Sequence, residues 1–333
     1  MRRPTLLLSL LLLLVPVAGL TAVGWWGSGS PWAERPGYPR ASASGGSLPA
    51  SGEPVSTAAA AAEGVVDPNL PITIGETRRI AARAIDDTAS APTHQALINL
   101  ARRFLGQPYN AFSLDRLRSE RLLLDLTRFD CFLFVEQLLA LVNSRQVDTQ
   151  TAGVDRFSDH VRQLRYDGGE VAYCRRHHYF TRWADAAEKQ GYLVNLNPFL
   201  PGSRSRNRPL TFLSQHVEAY EPMKLAANRA CITALEKDLT VTQGYVPLTA
   251  LTRLLPSLRS GDIFALVTAV PGLDVTHVGL VEVEGGQVGA IHAAPGEGVM
   301  RSDDLTRYAW GVADVIGVAF YRPIPNPEGK PGG

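Results

Sequence analysis

The chain has 333 residues, with 33 Lys and Arg against 32 Asp and Glu, so its formal net charge is +1. The apolar fraction of 45% is ordinary for a globular protein and excludes disorder along the whole chain. The balanced charge leaves no excess of cations to neutralise phosphates, so we do not expect nucleic acid as a partner. Three cysteines are too few for a disulfide-stapled scaffold.

The N-terminus has the pattern of an export signal. Arg2 and Arg3 precede an apolar block over residues 6–17, and small residues follow it, as in a secretory signal peptide. The apolar character continues to Trp26 and nearly reaches the ~20 residues of a bilayer span, so membrane anchoring through residues 6–26 is the alternative. Residues 1–26 are therefore predicted as signal peptide or signal anchor. Both interpretations predict an exported protein that is periplasmic or associated with the cell envelope.

Composition divides the rest of the chain. Residues 27–70 are mostly Gly, Ser, Pro and Ala and predict a flexible linker. Residues 71–325 carry helical and strand patterns and predict one folded domain, which residues 326–333 follow as a tail. Residues 145–256 are too many for a loop, so we expect them to form a large mixed insertion within the domain.

The first predicted elements of the domain are helices. Apolar spacing predicts helices over 74–84 and 93–104. A third helix begins at residue 130 or 131 and ends near 144; it is apolar on most of its surface, so we expect it to be buried. The insertion contains two mixed helical stretches, 175–190 and 217–239.

The last predicted elements are strands. Gly285-Gly286 predicts a hairpin turn between two of them. The four strands, recognised by runs rich in Val, Ile and Ala, are 263–268, 277–283, 288–293 and 316–322. Helices followed by antiparallel strands predict an α+β fold in which the buried helix packs on one sheet face.

Cys131 is the first candidate for chemistry. It opens the buried helix, and Asp130 before it is a natural N-cap. The helix dipole and unpaired N–H groups at this position favour the thiolate, so we expect a pKa below the usual value of about 8.5. The alternative is a small core residue, which is the common role of a lone Cys on an apolar helix.

Two histidines are the next candidates. His277 opens one predicted strand and His292 ends the next, so pairing across the glycine turn places both near one end of the sheet. One imidazole can then act as base to a thiol while the other orients it. His277 as a surface residue is one alternative. Zinc bound by the Cys and both His is another, although the sequence lacks HExxH and CxxC motifs.

The insertion carries a dense polar and aromatic stretch, residues 173–183. Such a stretch is compatible with a sugar- or peptide-binding cleft, and equally with a surface helix anchored by Trp183. Cys174 and Cys231 both lie in the insertion. In an oxidising compartment they can form a disulfide that leaves Cys131 free.

Six separated motifs carry a family resemblance. They are ARRFLGQPY (101–109), FDCFLFVE (129–136), HYFTRW (178–183), GDI (261–263), GLDVTHVG (272–279) and IHA (291–293). In this order they resemble the N-acetylmuramoyl-L-alanine amidase-like branch of the NlpC papain-like cell-wall cysteine hydrolases.

The resemblance implies a fold and a set of site residues. It implies a papain-like NlpC-type core, in which the helix carrying the cysteine packs on an antiparallel sheet. Cys131 is then the nucleophile, His277 its base and His292 the third catalytic residue, with no cofactor. The further residues implied as substrate contacts are Tyr109, Asp130, His178, Tyr179 and Asp274.

Three departures from the family pattern affect substrate preference more than catalysis. Leu133 stands where the family usually has Thr, and Ala294 follows the second His motif where Ser is typical. Residues 112–115 read FSLD in place of GTLE.

The implied activity is hydrolysis of the amide between N-acetylmuramic acid and L-Ala, so the expected partner is peptidoglycan or a muropeptide. The alternatives are a stem-peptide endopeptidase of the same superfamily and a non-catalytic wall-binding protein.

Overall fold

The computed structural model describes residue 67 and residues 70–117, 119–145 and 150–325. The predicted signal or anchor (1–26), nearly all of the predicted linker (27–70) and the predicted tail (326–333) lie outside the described residues. Within the described part of the chain, no helix combines the length and apolar character that crossing a membrane requires.

The first half of the described chain is mainly helical. In chain order it contains β1 (Ile72–Thr73), α1 (Thr77–Thr88), α2 (Thr93–Arg103), β2 (Leu123–Leu124), α3 (Cys131–Asn143) and α4 (Gln150–Arg165). β1 and β2 pair in parallel. The predicted helix 74–84 therefore begins later and extends further, whereas the helices predicted from residue 93 and from residue 130 or 131 match α2 and α3 closely.

The buried helix α3 begins where the sequence predicts. Asp130 has an extended backbone, and its carboxylate accepts a hydrogen bond from the Leu133 N–H at 2.7 Å, which caps the helix. Side chains around the whole circumference of α3 are buried because it contacts α1, α2 and α4 as well as two sheet strands. A capped, fully buried helix holds its first residue rigidly.

The second half supplies the sheet. Its elements are α5 (Phe180–Lys189), β3 (Leu193–Asn195), β4 (Arg204–Pro209), α6 (Phe212–Gln215), α7 (Ala226–Lys237), β5 (Thr240–Pro247), α8 (Leu251–Leu254), β6 (Ile263–Thr268), β7 (Val275–Glu284), β8 (Gln287–Ala294), β9 (Gly298–Ser302), α9 (Leu305–Gly311) and β10 (Val315–Pro323). The strand order is β4-β5-β10-β6-β7-β8-β9, with β3 pairing with the end of β10, and every pairing is antiparallel. This confirms a mixed α+β fold with an antiparallel sheet.

Both faces of the sheet are covered, and the buried helix α3 packs on one of them as predicted. On one face, Leu280 and Ile291 belong to the same apolar cluster as Leu138 of α3. On the other face, Phe264 and Val281 cluster with Leu305 of α9. Burial on both faces explains why β6 reads as an uninterrupted apolar run in the sequence.

The insertion is part of the sheet rather than an elaboration around it. Between residues 145 and 256 lie β3, β4 and β5, which extend the sheet beyond β10. The first predicted helix of the insertion begins only at Phe180, and the second covers Ala226–Lys237. A disulfide joins Cys174, just before α5, to Cys231 in α7; the two cysteines are 57 positions apart in the sequence.

Candidate active site

Cys131 lies at the first position of α3, half-buried, and is the free cysteine of the chain. The segment before it is fixed by the loop that carries Tyr109. The Phe129 N–H donates to the Pro108 carbonyl at 3.0 Å, and the Asn110 N–H donates to the Phe129 carbonyl at 2.9 Å. The backbone of Tyr109 therefore runs beside the residues that lead into the cysteine.

Three backbone N–H groups interact with the thiol: those of Cys131 itself, Phe132 and Val278. All three favour the anion; those of Cys131 and Phe132 belong to the N-terminus of α3, and that of Val278 belongs to β7. Burial nevertheless dominates and, with the negative charge of Asp130, raises the pKa of Cys131 to about 12. The predicted lowering of this pKa is therefore wrong for the free protein: the resting group is a neutral thiol, because desolvation of the anion outweighs the helix terminus.

Asp130 has two roles beside the thiol. Its carboxylate caps α3, and burial raises its own pKa to about 6, with further contributions from Glu136 and Asp115. Its carboxylate oxygen is thus engaged with the helix backbone, which leaves it less available as the substrate contact that the sequence predicts.

His277 and His292 are joined directly. The His277 Nε2 lies 3.0 Å from the His292 Nδ1, and the two rings meet edge to face with centroids 4.9 Å apart. The β7–β8 register explains the contact. His292 lies opposite Gly279, as counted from Leu280↔Ile291, so the two histidines are diagonal neighbours on one face.

A bulge and a glycine shape this corner of the sheet. The β6–β7 register shifts between Leu266↔His277 and Val267↔Val275, which leaves Thr276 as the extra residue just before the histidine. A Cβ placed on Gly279 would come within 2.6 Å of the His292 Cβ. Glycine at 279 therefore provides the space in which the second imidazole sits.

The thiol of Cys131 interacts with the backbone of β7 next to the histidine pair. Val278, whose N–H interacts with the sulfur, directly follows His277. Because the Nε2 of His277 is bonded to His292, its Nδ1 is the ring nitrogen that this contact leaves for another partner. Burial lowers the pKa of His277 well below its ordinary value and that of His292 to about 4, so both imidazoles are neutral near pH 7.

Two residues of the site were not predicted from the sequence. The Ser302 Oγ lies 2.9 Å from the Nε2 of His292. The Tyr308 ring packs on both imidazoles, with centroids 4.4 Å from His292 and 5.6 Å from His277. Burial raises the pKa of Tyr308, and so does the negative charge that Cys131 carries when ionised. Residues 302–304 (SDD), which precede α9, have the composition of a polar turn. The sequence therefore does not indicate that Ser302 or Tyr308 contacts the histidines.

Tyr179 and Asp274 are both buried and hydrogen-bonded within the protein. Tyr179 is 2% exposed; its hydroxyl donates to Glu236 and accepts from the Phe212 N–H at 2.8 Å. Asp274 is 1% exposed, and its carboxylate accepts from the Thr181 N–H of α5 at 2.7 Å and from its neighbour's N–H at 2.9 Å. In both residues the polar side-chain atoms are engaged inside the protein, and substrate contact by either residue stays a prediction.

His178 is also occupied by its own segment. Its Nε2 lies 2.7 Å from the Tyr173 carbonyl oxygen, and its ring packs on the Tyr173 ring with centroids 4.6 Å apart. Burial, followed by the positive charge of Arg176, lowers its pKa well below the ordinary value. These contacts hold the segment before α5, and none of them links His178 to Cys131.

A cavity of about 730 Å³ lies on the α9 side of the histidine pair. Ser302 and Tyr308 line it, but neither Cys131 nor His277 does. His292 does not line it either, so among these site residues the cavity is lined by Ser302 and Tyr308 and by neither imidazole nor the thiol. Among the described residues, no group of three or more His, Cys, Asp and Glu side chains is arranged to hold a metal ion.

The chain is similar to several solved bacterial structures. An N-acetylmuramoyl-L-alanine amidase from Bacteroides uniformis gives a TM-score of 0.64 at 24% identity, covering 69% of this chain and 98% of that protein. A Bacteroides fragilis protein described as a candidate xylanase gives 0.62 at 28%, covering 67% and 99%. A Legionella pneumophila protein gives 0.61 at 17%, covering 75% and 95%. The two similarities below 25% identity show a shared fold.

A comparison with curated protein sequences finds no match. A family model described as N-acetylmuramoyl-L-alanine amidase-like matches residues 99–310, a range that contains Cys131, His277 and His292. The match extends over more than half of the chain and confirms the amidase-like part of the resemblance seen in the sequence. The chain therefore belongs to the N-acetylmuramoyl-L-alanine amidase-like family.

Proposed function

We propose that this protein is a cysteine-dependent amidase that hydrolyses the bond between the lactyl group of N-acetylmuramic acid and L-Ala in peptidoglycan or its fragments. Family membership supports the reaction class. The observation that carries the proposal is the 3.0 Å contact between His277 of β7 and His292 of β8, next to Val278, whose backbone N–H acts on the Cys131 thiol. A thiol, a base and an orienting group are the parts that nucleophilic amide cleavage needs.

Acylation begins from the neutral pair. The Cys131 proton passes to the Nδ1 of His277 as the sulfur attacks the amide carbonyl carbon, which forms the C–S bond. The new imidazolium is stabilised through its Nε2–H, which donates to the Nδ1 of His292. Backbone N–H groups at the start of α3 are placed to stabilise the oxyanion. His277 then gives its proton to the L-Ala nitrogen as the C–N bond breaks.

Deacylation reverses the roles. Water adds to the thioester carbonyl, and His277 takes a proton from it. The C–S bond breaks, the lactyl carboxylate leaves, and the sulfur recovers its proton from His277. No metal or organic cofactor takes part in either half of this proposed reaction.

The compartment we propose is the periplasm or the cell envelope, with export directed by residues 1–26. Two features support it: the basic and apolar N-terminus, and the Cys174–Cys231 disulfide, because disulfides persist in oxidising compartments and are rare in the cytosol. Fractionation of cells that express the full chain, followed by mapping of the mature N-terminus, tests this and separates a cleaved signal from an anchor.

Two other activities compete. A papain-like stem-peptide endopeptidase would use the same residues on a different amide. A glycosidase, suggested by the Bacteroides fragilis structure, would ordinarily need two carboxyl groups about the scissile bond, whereas this site centres on a thiol and imidazoles. We therefore favour amide over glycosidic hydrolysis.

The test is to incubate the full chain with defined muropeptides and identify the products by mass spectrometry. Our proposal predicts a free stem peptide with L-Ala at its N-terminus and an intact sugar. Shortened stem peptides still attached to muramic acid would indicate an endopeptidase, and binding without any product would indicate a wall-binding protein. Either outcome would overturn the assignment of the bond.

A further inference from the structure

We propose that Ser302 is a positioning residue that selects the reactive tautomer of His277 through His292. The inference rests on the proposed function, because it assigns a role within the same site. Its basis is a continuous line of three side chains: Ser302 Oγ lies 2.9 Å from His292 Nε2, and His292 Nδ1 lies 3.0 Å from His277 Nε2.

The two contacts together fix which nitrogens carry protons. His277 can take the thiol proton on Nδ1 only if its own ring proton is on Nε2. That proton then needs an acceptor, so His292 must have a bare Nδ1. A neutral His292 with a bare Nδ1 carries its proton on Nε2 and must donate it to the Ser302 oxygen.

The opposite arrangement disables the base. If Ser302 donated its hydroxyl proton to His292 Nε2, the His292 proton would be on Nδ1 and would point at His277 Nε2. His277 would then carry its proton on Nδ1, facing the thiol with a donor where an acceptor is needed. The direction of the Ser302–His292 hydrogen bond therefore decides whether His277 can act as a base. When Ser302 accepts, the Nδ1 of His277 can take a proton; when Ser302 donates, it cannot.

The surroundings of Ser302 favour the acceptor role. It lies opposite Ala290 in the β8–β9 ladder, so its side chain is the diagonal neighbour of His292 on the same face. It is half-buried and lines the cavity of about 730 Å³, where its hydroxyl proton can be donated to solvent while its oxygen stays turned to the ring.

The packing around the pair leaves the ring nitrogens few other partners. His292 is fully buried, and Phe264 and Tyr308 cover its faces. A buried ring nitrogen without a partner costs free energy, so the Ser302 hydroxyl and the His277 ring together satisfy both nitrogens of His292.

The test uses the full chain and three variants. Ser302→Ala removes the acceptor, Ser302→Thr keeps it, and Ser260→Ala is the matched control. Ser260 also lies at the sheet, but its hydroxyl bonds only the backbone of Val283, accepting from the N–H at 2.8 Å. We expect kcat on a muropeptide to fall on the order of tenfold in Ser302→Ala with KM unchanged. The other two variants should keep kcat within about twofold.

A second readout does not depend on activity. Nitrogen-15 NMR of the imidazole rings in a Cys131→Ala background should place the proton of both histidines on Nε2 when Ser302 is present. In the Ser302→Ala chain, His292 should shift toward the Nδ1-protonated form. Unchanged tautomers, or a wild-type His292 protonated on Nδ1, would overturn the inference. Hydrolysis that survives Cys131→Ala would instead overturn the proposed function, so the two failures are distinguishable.

Discussion

The pKa values of Asp130 and Cys131, at the start of α3, are subject to two opposing effects. The N–H groups of the helix terminus lower both values, and burial, the larger effect, raises both. The neutral thiol that results is compatible with catalysis because His277 can accept its proton during attack.

The Asp130→Asn variant tests this balance through thiol chemistry. Asparagine keeps an acceptor oxygen for the Leu133 N–H but removes the charge that raises the pKa of Cys131. We expect faster alkylation of Cys131 by iodoacetamide at pH 8 to 9, with Asp155→Asn, at an exposed acid of α4, unchanged. Equal or slower alkylation in Asp130→Asn would show that the carboxylate does not act on the thiol.

We also expect Asp130→Asn to raise the free energy of unfolding in a pH-dependent way. The pKa of Asp130 rises from 3.8 to about 6 on folding, so the wild-type chain loses stability as the pH rises through this interval. The asparagine side chain does not ionise, so the Asp130→Asn variant does not lose stability in this way. Its free energy of unfolding at pH 7 should exceed that of the wild-type chain by about 1 kcal/mol, after allowing for partial exposure of the group. Urea unfolding at pH 7 and below pH 4 measures this; a difference that persists below pH 4 contradicts the assignment.

Some site residues could be predicted from the sequence and others could not. Cys131 with its cap and the two histidines that flank a glycine hairpin are local patterns. The contact between the histidines follows from the turn, whereas the approach of Cys131 to β7 depends on the packing of α3 on the sheet. Ser302 and Tyr308 reach His292 only through the β8–β9 register and the packing of α9, which are non-local. The burial of Tyr179 follows from its packing against α7 and the 212–213 segment, which the local motif does not reveal.

At the scale of elements, the hairpin of β7 and β8 creates the site. Gly285 and Gly286 both have positive φ, +56° and +82°, which a type I′ turn requires and which glycine adopts without strain. This turn fixes the register, and the register makes His277 and His292 neighbours. Gly279 then leaves the room that the second ring occupies.

Gly279→Ala tests the spacing of the two strands. The added methyl would meet the His292 Cβ, the Phe264 ring and the Ile291 carbonyl, all within 2.9 Å. We expect a stability loss of about 1–3 kcal/mol and a larger loss of activity, because the imidazole must move. Gly311→Ala in α9 is the control, since its Cβ meets nothing within 4 Å. Normal activity in Gly279→Ala would contradict the positioning that we describe.

Elements buried on both faces were predictable, and exposed ones were not. Apolar runs in the sequence predict four strands that the structure contains, β6, β7, β8 and β10. β4 reads RSRNRP, which has the composition of a loop; it is a strand because it pairs along its length with β5 at the edge of the sheet. Its arginines then bond carbonyl groups of the 268–273 segment, a contact that local sequence does not reveal.

At the scale of the whole molecule, the disulfide ties the segment before α5 to α7. A loop of 57 residues closed in the unfolded chain is worth about 4 kcal/mol in the chain-entropy model. We expect the double variant Cys174→Ala/Cys231→Ala to unfold roughly 10 °C lower in a thermal melt. Cys131→Ala, which leaves the disulfide intact, is the control. An unchanged melting temperature would show that the disulfide adds nothing to the folded state.

The most direct measurement is the rate at which the full chain and its Cys131→Ala variant release stem peptide from a defined muropeptide. Circular dichroism and disulfide mapping should first establish that the variant is folded. If Cys131 is the nucleophile, its loss should lower the rate by about 1,000-fold or more. A folded Cys131→Ala chain that releases L-Ala-terminated peptide at the wild-type rate would contradict the proposed chemistry.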